Sequence, residues 1–148
     1  MRITQALLGE HGAMYPLLDY MEKSAPLASL EQIRAHTHLL QAALLTHADL
    51  EEALLRPALL PYLAAAETGP DGVLPPTDHQ IIAAGLTSVI EAAEENVARQ
   101  RLLDTIAVTR THFRKEENEI FPIVGRHLAV ELQQELGARW AALRNVNI

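Results

Sequence analysis

Two short stretches of the sequence carry the same chemistry. His47-Ala-Asp-Leu-Glu51 and His112-Phe-Arg-Lys-Glu116 each place an imidazole four residues before a carboxylate. Each is preceded by one further histidine, His11 thirty-six residues before His47 and His79 thirty-three before His112. Residues four apart on a helix share a face, with Cβ atoms ~5–6 Å apart, so each H-x-x-x-E aims a nitrogen and an oxygen donor into one volume. Such donors suit first-row transition metals. Four imidazoles and two bridging carboxylates supply eight donor atoms, four for each of two ions. A bridging oxo or hydroxo then adds a fifth and leaves one position open on each. That balance favours a pair of non-haem irons, with manganese or zinc as alternatives.

The rest of the composition narrows the metal chemistry. The 148 residues contain seven histidines and no cysteine, which excludes thiolate zinc sites, cysteine-ligated iron–sulfur clusters and disulfides. The formal charge of −7 argues against nucleic acid or an anionic membrane surface as partner. No run approaches the ~18–20 apolar residues that span a bilayer. The opening MRITQALLGEHG carries charges where a signal peptide needs an apolar run, so the cytoplasm is the expected compartment.

The donors must be positioned by helices, because nearly every apolar segment repeats at three and four residues. The first helix is expected over about Thr4 to Lys23, with Ile3, Leu7, His11, Met14, Leu18 and Met21 as its seam. Pro16 predicts a kink near His11, since its ring clashes with the carbonyl of Gly12. Ser29 and Gln32 form a capping box that opens a second helix. Its buried face carries Ile33, Leu40, Leu44, His47, Glu51 and Leu54, and Pro57 and Pro61 are expected to bend or break it before Ala66. Thr68 to Asp78 reads as a loop.

The third helix begins at Thr77 or Asp78 and carries His79, Ile82, Leu86, Val89 and Ala93. A break near Glu95–Asn96 leads to the fourth, with Leu102, Ile106, Thr109, His112 or Phe113, Glu116 and Ile120, which Pro122 and Gly125 are expected to end. A shorter fifth helix, from about Leu128 to Leu143, presents Leu132, Leu136 and Trp140 and could cap the bundle or form a dimer contact. The expected fold is all-α: an up-down-up-down four-helix bundle over residues 1–125, with a short additional C-terminal helix over 126–148 packed on it.

In this arrangement the candidate ligands sit where leucine is expected. Burying such charged groups without compensation costs about several kcal/mol each. His79 and His112 lie seventeen and sixteen residues from the break between their helices, so they should face each other. His11 and His47 are mismatched by five residues, ~7.5 Å, which tilt or the turn must absorb. Glu10, Glu52 and Glu117 flank ligands but read first as solvated carboxylates, Tyr15 as a core residue, and His36, His38 and His127 as bystanders.

At these positions the sequence resembles the hemerythrin-like family, the HHE cation-binding domain. The resemblance rests on Glu10-His11, H-A-D-L-E-E at 47–52, His79 and H-F-R-K-E-E at 112–117, with Glu119-Ile120-Phe121-Pro122 similar to the family's usual helix ending. It covers roughly residues 1–125. It implies a four-helix bundle around a non-haem diiron centre, with His11, His47, Glu51, His79, His112 and Glu116 as ligands and both glutamates bridging. One departure bears on function. Oxygen-carrying members have H-x-x-x-H on the third helix, whereas Ala83 stands four residues after His79. The lack of cysteine also fits poorly with members linked to iron–sulfur repair, and the E-x-x-H pairs of ferritin-like bundles are missing.

The function expected from these readings is binding or sensing of a small oxidant, with dioxygen first. The alternatives are a diiron oxidoreductase acting on peroxide or nitric oxide, and an iron-responsive sensor or store. The partner is a diatomic gas or peroxide, without nucleic acid or membrane, and a homodimer is compatible with the tail.

Overall fold

Spacing of three and four between apolar residues becomes helix throughout the computed structural model, which describes residues 1–62 and 77–147. The helices are α1 (Ile3–Ser24), α2 (Leu30–Leu50), α3 (Arg56–Leu59), α4 (Asp78–Glu91), α5 (Glu95–Lys115), α6 (Phe121–His127) and α7 (Val130–Arg144). No strand occurs among the described residues, and the fold is an all-α bundle. None of their helices is long and apolar enough to cross a membrane. The loop expected over Thr68–Asp78 lies almost wholly outside the described residues.

The chain divides into two units. In one, formed by residues 12–46 and 77–113, four helical segments bury a common core. Met14, Leu18 and Met21 come from α1, Ile33, Leu40 and Leu44 from α2, Ile82, Leu86 and Val89 from α4, and Leu102, Ile106 and Phe113 from α5. Both expected helix starts are capped by reciprocal side-chain bonds. Gln32 N donates to Ser29 Oγ while Ser29 N donates to Gln32 Oε1 (2.9 Å), and Thr77 and Gln80 repeat the box at α4. Ala93, expected on the buried face, is exposed. α4 ends at Glu91 and Ala92 turns extended, so Ala92 takes the buried place. Pro16 stays inside α1, which runs on to Ser24.

The other unit comprises residues 1–11, 47–62 and 114–147. Its core joins Ile3 and Leu7 of α1, Leu54, Leu55 and Leu59, Phe121 and Val124 of α6, and Leu136, Trp140 and Ala141 of α7. α7 docks closely on the N-terminus, because a Cβ on Gly137 would run into the Met1 carbonyl.

One proline expectation holds and one needs correction. The second helix, continued as α3, ends at Leu59 just before Pro61, whereas Pro122 and Gly125 do not end the fourth. Each helix widens into a π-helical turn, over Glu51–Leu55 and Glu116–Ile120, and then resumes as α3 and α6. A proline lacks the N–H donor and its ring crowds the carbonyl four residues back. A five-residue ladder just before it relieves that crowding. Arg56 N–H and Phe121 N–H accordingly bond Glu51 O and Glu116 O. Each proline follows in the first turn of the resumed helix, where a missing donor costs little. The tail also differs from expectation, since Leu132 is exposed and Gln133 is buried. The Gln133 amide donates to Leu128 O (2.8 Å) and Val124 O (3.4 Å), serving the carbonyls at the end of α6.

Candidate metal centre

The unit that holds both ends of the chain gathers four of the six expected ligands. His11 of α1, His47 of α2, and Glu51 and Glu116, the first residues of the two π turns, each offer one donor atom within 4.8 Å of all the others. All four are buried. The mismatch between His11 and His47 disappears because the 3-10 turn Ala25–Leu27 and the cap at Ser29 shift the apex towards α2. Ser29 lies eighteen residues from each histidine. Their Nε2 atoms stand 3.1 Å apart, with the rings edge to face at 63°. Glu116 Oε2 lies 3.3 Å from His11 Nε2, and Glu51 Oε1 3.5 Å from His47 Nε2.

The far side of each ring fixes which nitrogen faces the cluster. His11 Nδ1 donates to Glu117 Oε1 (2.9 Å) and His47 Nδ1 to Glu10 Oε2 (2.6 Å). An ionised carboxylate only accepts, so the proton on each ring belongs at Nδ1. In the neutral rings both Nε2 lone pairs then converge between two carboxylates. Lone pairs 3.1 Å apart repel unless a cation or a proton lies between them. This donor set fits a transition-metal ion, with neutral imidazole and carboxylate in contact and outer carboxylates orienting the rings.

Glu10 is itself held. Burial works to raise its pKa, but the hydrogen bond and charge of His47, with the charge and hydrogen bond of Arg144, outweigh it and leave the carboxyl below its ordinary value. Trp140 Nε1 donates to Glu10 Oε1 at 3.0 Å, and Arg144 Nε donates to the same oxygen at 2.7 Å.

His79 and His112 form the matching pair in the other unit. Their Nε2 atoms are 3.0 Å apart and their rings cross at 81°, although the break falls at residues 92–94, earlier than the expected Glu95–Asn96, so that α4 ends twelve residues after His79 and α5 begins seventeen before His112. Behind His112, Nδ1 stands 3.5 Å from Asp78 Oδ2. A surface-open cavity of about 260 Å³ is lined by Asp78, Ala107, Val108, Thr111 and His112.

The flanking residues divide. Glu10 and Glu117, read first as solvated, accept from His47 and His11, whereas Glu52 pairs with Arg56 at the surface (3.2 Å). Tyr15 packs against Phe113 with ring centroids 5.6 Å apart. His36 lies edge-on to Tyr20, His127 stacks on Tyr62, and His38 is exposed. Sequence reasoning missed Trp140 and Arg144 at the site. It also missed the π turns, although a signal existed: both glutamates are followed six residues on by proline.

Comparison with curated proteins and with solved structures returns no match. Residues 2–124 match the family model of the hemerythrin HHE cation-binding domain, and the chain belongs to that family.

Proposed function

We propose that the chain is a non-haem diiron protein that binds or senses a small oxidant, dioxygen first. The convergence of His11, His47, Glu51 and Glu116 donors within 4.8 Å carries this reading. In it, His11 and His47 hold one ion, His79 and His112 hold the other, and Glu51 and Glu116 are shared. The doubled H-x-x-x-E pattern and the two facing histidine pairs support that assignment. Mixed imidazole and carboxylate ligation favours iron, with manganese or zinc as alternatives. When bound, an iron pair supplies electrons and open coordination positions to a small oxidant. The protein's part is to hold both Nδ1 protons on the His11 side, to keep bulk water from that side, and to admit a small molecule beside His112.

One observation favours a second reading, an oxidoreductase acting on peroxide or nitric oxide. The cavity beside His112 opens to solvent, and Ala83 stands where oxygen carriers of the family are expected to have a fifth imidazole. The readings separate after anaerobic loading with iron. A carrier or sensor gives a reversible oxygen-dependent absorption band without turnover. An oxidoreductase consumes peroxide catalytically and loses that activity in Glu51→Ala and Glu116→Ala. If iron-loaded protein shows neither behaviour, both readings fail.

A further inference from the structure

The family match ends at residue 124, yet α7, from Val130 to Arg144, reaches back to a ligand histidine. Glu10 links the two. Its Oε2 accepts from His47 Nδ1 at 2.6 Å, while its Oε1 accepts from Trp140 Nε1 at 3.0 Å and from Arg144 Nε and Nη2 at 2.7 Å each. Three N–H groups from α7 thus hold one carboxylate oxygen and leave the other for the imidazole. The contacts bridge 130 and 134 residues of sequence. We infer that α7 is a positioning element for the metal centre: Trp140 and Arg144 fix the Glu10 carboxylate, which fixes the His47 ring with Nε2 towards the ligand cluster.

Packing supports this role. Trp140 is buried in the same apolar core as Leu7 and Phe121, so its indole N–H is delivered from a rigid base. Phe121 in turn stacks on His11 with centroids 5.7 Å apart. Gly137, one turn before Trp140, permits the close approach to Met1 that seats the helix. Arg144 stands in the last turn of α7, where a cation is also favoured by the helix dipole. The partner of His11 Nδ1, Glu117, sits on the π turn beside Glu116. The contacts of Trp140 and Arg144 with Glu10 direct the action of the C-terminal helix to His47.

The inference rests on the metal-centre reading, and its test separates the two. The full-length protein is compared as wild type, Trp140→Phe, Arg144→Gln, Arg144→Lys and Glu10→Ala. Fe(II) affinity is measured anaerobically against a competing chelator. The His47 Nδ1 proton is followed by NMR in metal-free protein and assigned by its loss in Glu10→Ala. Outer carboxylate partners of metal histidines typically contribute ~10–100-fold in affinity. Glu10→Ala should fall in that range, and Trp140→Phe and Arg144→Gln should each lose roughly threefold to tenfold. Both should weaken or exchange-broaden the proton signal, and Arg144→Lys should restore most of it. Arg144→Gln changes a half-buried side chain that lies outside the apolar core, so it decides the matter if Trp140→Phe folds poorly. Folded Arg144→Gln protein with wild-type Fe(II) affinity overturns the inference, whether or not the proton signal changes. Wild-type protein that binds no Fe(II) overturns the metal reading instead, and an unchanged proton signal in Arg144→Gln then removes the clamp as well.

Discussion

The two histidine pairs are alike where they face each other and unlike behind. His11 and His47 meet through Nε2 atoms 3.1 Å apart, and His79 and His112 through Nε2 atoms 3.0 Å apart. Behind the first pair stand Glu117 and Glu10 at 2.9 and 2.6 Å, with Glu10 braced by α7. Behind the second, Asp78 lies 3.5 Å from His112, and a cavity of about 260 Å³ opens to solvent. Ring orientation costs conformational entropy unless it is set in advance, so in the proposed centre the first pair is the one prepared to hold an ion. The second has a cavity beside it and, in the same proposal, is the one a small molecule reaches. Similar front geometry with different backing separates anchoring from access.

Removing a shared ligand should give the largest effect. Glu116→Ala is expected to lose most bound iron from both positions, as read by elemental analysis, and retention of both ions would break the assignment of this residue to the two pairs. Next, Glu10→Ala should weaken Fe(II) binding by ~10–100-fold while Asp78→Ala changes it by less, because Glu10 stands 2.6 Å from His47 Nδ1 and Asp78 3.5 Å from His112 Nδ1. Equal losses in chelator competition would erase the contrast. Val108→Trp, which fills the cavity, should slow peroxide reaction several-fold in stopped flow at unchanged iron content, whereas an equal rate would show that access lies elsewhere.

Ala83→His sharpens the same side. A fifth imidazole four residues after His79 should lengthen the lifetime of the oxygen-dependent band and slow peroxide turnover. The smallest effect is on acid stability of the metal-free protein. The depressed Glu10 pKa contributes stability that is full above its unfolded value and is lost as pH falls through its lower folded value. Acid titration monitored by circular dichroism should therefore show a shallower decline in Glu10→Ala than in wild type across that window.

Much of this site was legible because helical period survives in the sequence. The stripe from Ile3 through His11 to Met21 is buried at every expected position, and so is that from Ile33 to Leu54. The four histidines and two glutamates stand out because polar residues interrupt those stripes at matched spacing. The outer partners do not stand out. Glu10 and Glu52 both adjoin a ligand, and only the packing of α7 makes one a brace and leaves the other paired to Arg56 at the surface. Trp140 and Arg144 lie 130 and 134 residues from Glu10, a distance that no local pattern spans. The π turns escaped for another reason. Proline in a sequence signals a bend or a break, whereas one extra residue in the turn lets each helix absorb it and continue.

Metal content per chain tests the central claim most directly. The full-length protein is expressed in iron-replete medium, purified without chelator and subjected to elemental analysis alongside a His79→Ala/His112→Ala variant. The account predicts two irons per wild-type chain and about one in the variant, retained by the braced His11/His47 pair. Wild-type protein without bound metal, or a folded variant that still holds two irons, would contradict it.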